Sequence, residues 1–131
     1  MHITINEPPR SKKNSMQIVK FGIRPALVQS KSYREYESLC AVYFKDWVAE
    51  PIDYPVNLKC DYYMPSKRKV DITNLMSATH DILVKYGVLA DDNRDIVASV
   101  DGSRVFYDKH NPRTEIEITP YDGDYDTWKS K

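Results

Sequence analysis

Aspartates lie at both ends of a helix predicted over residues 72–86. Asp71 directly precedes this helix and follows the cations of residues 67–69, while Asp91 and Asp92 come just after its end. Cleavage of a phosphodiester needs an activated water and a stabilised leaving oxygen, and Mg²⁺ supplies both. One or two carboxylates, completed by water and phosphate oxygens, are the ligand set that Mg²⁺ prefers in proteins. The pattern therefore fits metal-dependent phosphodiester cleavage.

Ordinary structural roles account for the same side chains. Asp71 is a suitable N-cap residue, which stabilises a helix by about 1 kcal/mol. Residues 91–93 have the composition of a turn, and Asp81 can pair with Lys85 one helical turn later. Composition and spacing alone leave the metal site and the structural roles both open.

The two groups of aspartates are separated by the predicted helix. About 15 residues at 1.5 Å per residue give roughly 22 Å between its ends. Asp71 and Asp92 are therefore neighbours only if the chain after the helix folds back along it, or if the two sites meet from different directions.

The first third of the chain is predicted to be extended and then helical. Residues 3–5 form a short strand, and residues 16–20 and 25–29 form a hairpin that turns near Gly22. Ser32 then opens a helix, with Glu35 at the capping-box spacing, and this helix is expected to end before Pro51.

An aromatic stripe follows the first helix at 3.6-residue intervals, which is typical of a face buried in a core. A base-stacking platform is the alternative interpretation of the same stripe. Its members are Tyr33, Tyr36, Leu39, Cys40, Tyr43, Phe44 and Trp47.

The second half of the chain predicts a half-buried strand over residues 56–64, where apolar residues alternate with polar ones. The helix over 72–86 then ends at Gly87, a C-terminal cap. Its inward face is predicted to be Ile72, Leu75, Met76, Thr79, Ile82, Leu83 and Tyr86. Its outward face is predicted to be Asn74, Ser77, Ala78, Asp81 and Lys85.

Strands are expected at residues 96–107 and 114–119. Asp101-Gly102 could be a hairpin turn or a bulge within one long strand, and we favour the bulge, with the chain reversing at residues 109–112. The order of elements predicts an α+β fold in which two main helices pack on one face of a mixed sheet. We expect one domain over residues 1–120 and a mobile acidic tail over 121–131.

Charge is distributed unevenly although the net charge is zero. Residues 1–34 carry a net charge of +6, which fits either a polyanionic partner or a solvated basic edge. No apolar run approaches the roughly 20 residues of a membrane span, and the beginning lacks the pattern of a signal peptide. We therefore expect a cytoplasmic protein, with Cys40 and Cys60 as buried thiols rather than a disulfide.

Residues 64–75, MPSKRKVDITNL, resemble the segment that identifies RusA-type crossover junction endodeoxyribonucleases. In that family a strand ends in proline, a basic stretch follows, and a helix then starts with Asp-x-Asp-Asn-Leu. An Asp near the middle of that helix, a Gly and an Asp-Asp pair come next, matched here by Asp81, Gly87 and Asp91-Asp92. Residues 8–14, 30–36 and 112–118 also resemble family segments, so that the resemblance covers about residues 5–119.

The resemblance implies a homodimer, common in phages and prophages, that binds four-way DNA junctions and nicks them with Mg²⁺, for which Mn²⁺ could substitute. It implies that Asp71 and Asp92 are catalytic and that Asp91 and Thr73 join them around the metal. Asp81 and Asn74 are further candidates. Thr73 replaces a usual Asp and Ser77 replaces a usual lysine, so that activity could be reduced or lost.

Phosphate contacts are expected from Lys12, Lys13, Lys67, Arg68 and Lys69, and a solvated loop is the alternative for each of them. Two other functions remain open. One is a module of the same fold that binds branched DNA without cutting it. The other is a small phage interaction protein with no nucleic-acid role.

Overall fold

Strand β4 (Val56–Met64) is the centre of the sheet, and its alternating side chains define two different faces. In the computed structural model, residues 1–11, 16–21, 24–29 and 31–123 are described, with backbone only for 16–21 and 24–29. Every second side chain of the strand, from Val56 and Leu58 to Met64, is buried, while the side chains between them are half-buried. One face of β4 therefore lies in the core and the other remains partly open.

The main sheet has five strands in a mixed arrangement. Besides β4, its strands are β1 (His2–Ile5), β5 (Val97–Ser99), β6 (Arg104–Tyr107) and β7 (Arg113–Pro120). Their order is β1-β7-β4-β5, with β6 also paired to β4, and β7 runs antiparallel to both β1 and β4. The predicted α+β class is confirmed.

Strands β5 and β6 run beside β4 in the same direction, as the predicted bulge requires. Both pair with β4 in parallel, and a turn at residues 101–102 separates them. Val56 pairs with Val97 but Asn57 pairs with Ser99, so that the register shifts by an extra residue. The Asn57 side chain accepts a hydrogen bond from the Asp101 N–H at 2.8 Å and holds this irregular segment against the sheet.

The chain reverses at residues 108–112, as predicted, but the strands on either side do not pair with each other. Strand β6 lies on one side of β4 and β7 lies on the other, so that the connection crosses the end of β4. The Asp108 N–H donates to the Met64 carbonyl at 2.9 Å and Asp108 Oδ1 accepts from the His110 and Asn111 N–H groups. These bonds fix the crossing.

A separate two-stranded sheet precedes the first helix. Strand β2 (Met16–Phe21) pairs antiparallel with β3 (Arg24–Gln29), which confirms the predicted hairpin. Gly22, where the turn was predicted, lies outside the described residues.

Helix α1 (Lys31–Cys40) is shorter than predicted, because the chain tightens into a 3₁₀ turn at Ala41–Tyr43. Tyr33, Tyr36 and Cys40 are buried, which confirms the core interpretation of the stripe for these residues. Leu39 is 46% exposed, so its placement in the buried stripe was wrong.

The tighter turn has three residues per turn instead of 3.6, so residues beyond Cys40 do not continue the helical face. The Phe44 and Trp47 N–H groups each donate to the carbonyl three residues earlier. Phe44 remains buried, and its ring stacks on Tyr86 with centroids 5.4 Å apart.

Helix α2 (Ile72–Lys85) packs its apolar side on the sheet. Leu75, Met76, Thr79, Ile82 and Leu83 are buried as predicted, whereas Ala78, predicted to face outward, is 1% exposed. A methyl group is small enough to be covered at the margin of a packed helix face, so its position in the helical wheel did not decide its burial. Gly87 has φ 79°, the left-handed conformation expected of a C-terminal cap.

The two cysteines are free and buried in the core. Burial raises the pKa of each thiol to about 12. No helix of the described residues is both long enough and apolar enough to cross a membrane. Residue Tyr121 still donates its N–H to the Pro55 carbonyl at 3.0 Å, and most of the predicted acidic tail, residues 124–131, lies outside the described residues.

Candidate functional site

The Asp71 carboxylate lies at the start of α2 without capping it. Asp71 has an extended backbone (φ −87°, ψ 124°), and its side chain makes no capping hydrogen bond to the helix. Its carbonyl accepts from the Leu75 N–H at 3.3 Å, while Oδ2 accepts from Asn74 Nδ2 at 3.1 Å. The backbone alone therefore begins the helix, and Asn74 orients an exposed carboxylate at its positive end.

The consecutive aspartates after the helix have different surroundings. Asp91 Oδ1 accepts from the Asp92 N–H at 2.7 Å, and its Oδ2 accepts from Asn93 Nδ2 at 3.3 Å. Asn93 Oδ1 in turn accepts from the Asp95 N–H at 2.9 Å. The Asp92 carboxylate is exposed and, in the described part of the chain, accepts no hydrogen bond. Asp91 thus shapes the loop that presents Asp92.

The loop with these aspartates turns back toward α2. The Val88 and Leu89 N–H groups both donate to the Leu83 carbonyl, at 2.9 and 3.2 Å. Leu89 then forms a parallel bridge with Ile52, whose carbonyl accepts from the Ala90 N–H at 2.9 Å. These bonds anchor the loop at both the helix and the segment before β4, so that Asp92 is presented from a fixed base.

His80 is a half-buried side chain of α2 that the sequence analysis did not consider. Its Nε2 atom is buried and has no hydrogen-bond partner among the described residues. Burial lowers the pKa of the imidazole, and the carboxylates of Asp92 and Asp81 oppose that effect. The negative charge of Asp92 therefore favours the protonated form of His80, in the third turn of α2. A histidine directly before Asp81 was the one signal in the sequence that could have drawn attention to this position.

The structure brings Asp92 and Asp81 into one electrostatic neighbourhood around His80. Asp71 lies nine residues before His80 on the helix, a rise of about 13 Å. Asp71 and Asp92 were expected to be neighbours only if the chain folded back along α2 or the two sites met from different directions. The charge of Asp92 acts on His80, and the meeting of Asp92 with Asp71 stays a prediction. Among the described residues, no group of three or more His, Cys, Asp or Glu side chains is arranged to hold a metal ion.

Thr73 and Ser77, the two positions that depart from the family pattern, are both exposed on α2. They are four residues apart and so lie on the same side of the helix. A carboxylate and an ammonium group at these positions would have been accessible from solvent next to Asp71. Their replacement by hydroxyl groups changes the charge of that surface without disturbing the core.

The basic loop, residues 66–69, joins the end of β4 to Asp71 and is exposed throughout. Within the described residues, Lys67, Arg68 and Lys69 form no ion pair with a carboxylate. The Lys67 ammonium lies 5.3 Å from the centroid of the Tyr107 ring. Three cations therefore stand next to the Asp71 carboxylate, in one stretch of chain.

The other predicted DNA contacts, Lys12 and Lys13, lie outside the described residues. Nearby Arg10 donates from Nη1 to the Ser32 carbonyl at 2.7 Å and lies 3.9 Å from Glu35. Glu35 also lies 3.9 Å from Lys31. The cations at the start of α1 are therefore partly neutralised, unlike those of the basic loop.

Residues 7–119 match the family described as Endodeoxyribonuclease RusA. No curated protein matches the chain closely enough to count as a relative. Since the family match spans most of the sequence, this chain belongs to the RusA endodeoxyribonuclease family. The family comprises nucleases that resolve Holliday junctions, act on branched DNA and generally use divalent metal ions.

Proposed function

We propose that this chain is a homodimeric, Mg²⁺-dependent endonuclease that resolves four-way DNA junctions by paired nicks. Asp71 and Asp92 are its catalytic carboxylates in this proposal. The observation that carries it is the exposed Asp71 carboxylate at the start of α2, which Asn74 orients and which directly follows three cations. A carboxylate beside phosphate-binding cations supports a role in cleaving a phosphodiester.

Asp92 is the second carboxylate of the proposal because the carboxylate of its neighbour, Asp91, is bound within the loop. Asp91 accepts hydrogen bonds on both oxygens from residues 92 and 93. Asp91 therefore positions Asp92, and in this proposal Asp92 is the main metal ligand of the two. Asp81, half-buried beside His80, contributes negative charge on the same side as Asp92.

A divalent ion bound here would activate the attacking water and stabilise the leaving oxygen. The residues fit Mg²⁺ in one respect, since that ion takes one or two carboxylates and completes its shell with water and phosphate oxygens. They do not supply a closed cage of three acidic ligands within the described residues. Asp71 and Asp92 would each offer a carboxylate ligand, and Asn74 would hold the Asp71 carboxylate in orientation. The exposed Thr73 hydroxyl would be available to a water bound to the ion.

The cations Lys67, Arg68 and Lys69 are proposed to bind phosphates next to the cleavage site, together with Lys12 and Lys13. Phosphate binding by lysine and arginine releases condensed counterions, which makes affinity fall as salt rises. The absence of carboxylate partners around residues 67–69 in the described chain supports this role, because no internal ion pair must be broken first.

A dimer is proposed because two strands of a junction must be cut at symmetric positions, which a two-fold assembly provides. Either the apolar side of α2 or an edge strand could form the contact. The apolar residues of α2 are buried within the protomer, so an edge strand such as β1 is the better candidate. Sedimentation at micromolar concentration, with and without junction DNA, tests this; a monomer in both conditions contradicts it.

A junction-binding module that does not cut is the second candidate function. The departures at Thr73 and Ser77 favour it, because the site has one carboxylate and one cation fewer than the family pattern. Binding would persist in this case, since the basic loop is retained.

The decisive experiment measures cleavage of a labelled four-way junction with Mg²⁺ or with EDTA. We expect Asp71→Asn and Asp92→Asn each to reduce the rate by at least about a hundredfold while binding is kept or strengthened. Each change preserves shape but removes a charge that holds a divalent ion beside phosphate. Asp46→Asn, an exposed aspartate in the segment after α1, is the matched control and should cut like the wild type.

The outcomes separate the two candidates. Binding without cleavage in either buffer identifies the non-cutting module, and Thr73→Asp should then restore cutting by returning the family carboxylate. In a protein that already cuts, Thr73→Asp should raise the rate several-fold at limiting Mg²⁺. Normal cutting by both Asp71→Asn and Asp92→Asn would remove these residues from the site and make Asp81 with Asp91 the next pair to test.

A further inference from the structure

Three side chains stack in a row across the open face of the sheet. Phe106, Tyr63 and Arg113 are direct cross-strand partners on β6, β4 and β7. The rings of Phe106 and Tyr63 have centroids 4.9 Å apart and an interplanar angle of 18°. The Arg113 guanidinium carbon lies 3.7 Å from the centroid of Tyr63. We call Phe106, Tyr63 and Arg113 the sheet stack.

The inner end of the sheet stack is fixed by hydrogen bonds. Arg113 donates from Nε to Glu115 at 2.7 Å and from Nη1 to Asp108 at 3.0 Å. It also donates to the Asn111 carbonyl at 2.9 Å. The Arg113 guanidinium lowers the pKa of the Asp108 carboxyl, as a charge-assisted bond should. A planar cation held at three points thus sets the orientation of the rings beside it.

The outer end of the sheet stack is open. Phe106 is 39% exposed and belongs to β6, an edge strand whose paired neighbour is β4. On the opposite side of the same strand, Tyr107 is 47% exposed and carries the Lys67 ammonium above its ring. An aromatic ring therefore meets solvent on each side of β6, and one of these rings contacts the basic loop that leads to Asp71.

We propose that the sheet stack is a binding surface for an unpaired base of branched DNA, which would stack on Phe106. This inference rests on the proposed function, since it names the part of the junction that the same protein recognises beyond its phosphates. A nucleobase has a flat π-face, and such faces stack on exposed aromatic rings irrespective of sequence. Unpaired bases occur where the arms of a junction open.

Charge complementarity favours DNA as the occupant. Arg104 lies on β6 beside Phe106 on the same face of the sheet, and Lys109 lies two residues beyond the end of the strand. The basic loop adds Lys67 and its neighbours at the adjoining end of β4. Of the nearby acids, Asp108 and Glu115 are both bound to Arg113. Asp61, the cross-strand partner of Arg104, is paired with Lys59 at 3.4 Å. A base that stacks on Phe106 would therefore carry its phosphates over a cationic margin.

A second copy of this chain fits the same edge poorly. Strand β6 has four residues, whereas stable protein interfaces use roughly 20–30 residues on each side. Two copies that met here would also bring their basic loops toward each other, which is unfavourable between like charges. Self-association through β6 would therefore overturn the proposal.

The test uses a four-way junction and a single-stranded oligonucleotide, each with 2-aminopurine at an unpaired position, in EDTA to prevent cutting. The fluorescence of 2-aminopurine is quenched when the base stacks. Phe106→Leu keeps an apolar contact with Tyr63 but removes the ring face, and Phe106→Trp keeps a ring face. Val105→Ala, on the same strand but the other face, is the matched control. Circular dichroism verifies that each variant is folded.

We expect Phe106→Leu to weaken binding of the single strand by about 5- to 100-fold and to abolish the quenching. Phe106→Trp and Val105→Ala should bind and quench like the wild type. Wild-type affinity and quenching in folded Phe106→Leu would overturn the inference. A change in sedimentation with unchanged DNA binding would overturn it too and assign β6 to a second copy.

The same protein variants, assayed in parallel for cleavage with Mg²⁺, distinguish this inference from the proposed function. If the wild type cuts junctions with Mg²⁺ and Phe106→Leu binds normally, the inference fails while the proposed function stands. If the wild type cuts nothing but its quenching depends on Phe106, the proposed nuclease activity fails and the stacking surface is supported. Wild-type protein that neither binds nor quenches either probe overturns both.

Discussion

Two tyrosines that are adjacent in the chain, Tyr62 and Tyr63, lie on opposite faces of the sheet and have opposite surroundings. Tyr62 is 1% exposed, and its hydroxyl bonds to the buried Thr79 hydroxyl of α2 at 2.7 Å. Tyr63 is half-buried on the open face, between Phe106 and Arg113. Since neighbouring strand residues point to opposite faces, one position along β4 separates a core residue from a residue of the proposed binding surface.

The comparison extends to the whole molecule. The helix-covered face contains the core, where polar groups such as Thr79 are satisfied by internal hydrogen bonds. The open face contains the sheet stack, and the exposed basic loop leads from the end of β4 to Asp71 at the start of α2. Changes to the first region should alter stability, and changes to the second should alter interactions with DNA.

The largest contrast is expected in unfolding free energy. Tyr62→Ala should lower it by about 3–5 kcal/mol, because a large buried ring leaves a cavity and Thr79 loses a partner. Tyr63→Ala should lower it by no more than about 1.5 kcal/mol, since it removes one aromatic pair at a partly solvated surface. Urea denaturation of both variants measures the difference, and equal losses would contradict the distinction between the two faces.

A smaller effect is expected at the margin of the open face. Replacement of Lys67, Arg68 and Lys69 together by Gln should weaken junction binding and reduce its salt slope by up to about three phosphate contacts. Lys45→Gln, an exposed cation after α1, is a control for a single lost charge. Titrations at several salt concentrations test this, and an unchanged slope would remove the basic loop from the interface. Unfolding free energy should remain within about 0.5 kcal/mol of the wild type.

The smallest effect concerns the cysteines of the helix-covered face. Burial raises the pKa of both thiols to about 12, so the folded state favours their protonated form. Their contribution to stability is complete below the pKa of the unfolded thiols, near 8.5, and is lost as pH rises toward 12. Native protein at pH 8 should react with a thiol reagent at less than about 1% of the rate of denatured protein. Rapid native labelling would show that these thiols are accessible.

Much of the core was predictable because it depends on periodicity. The alternation in β4 and the spacing of Leu75, Met76, Thr79, Ile82 and Leu83 reflect which side each residue faces, and the structure follows both. The early end of α1 was not predictable in this way. An aromatic stripe continues past Cys40 in the sequence, but the chain changes to a 3₁₀ turn there, and Phe44 packs on Tyr86 of a distant segment.

The candidate site was predictable in its residue types but not in the work that each residue does. Asp91 and Asp92 have the same chemistry and adjacent positions, and their difference depends on which carboxylate the loop itself binds. The effect of Asp92 on His80 arises only once the loop has folded back on α2. The sheet stack was missed because its three members come from separate strands, whereas the base-stacking surface considered in the sequence was the stripe of α1, much of which is buried.

Strand β7 lies between β1 and β4, although it comes last along the chain among the described strands. Ile3 pairs with Ile116, and the Met1 amino group donates to the Ile118 carbonyl at 3.0 Å. Strand β1 therefore cannot pair with β7 until more than a hundred further residues have left the ribosome. Closing so long a loop is entropically costly and slows folding. Assembly of the sheet is thus coupled to the arrival of β7, so that truncation before this strand should leave β1 unattached and one side of β4 exposed as an unpaired edge.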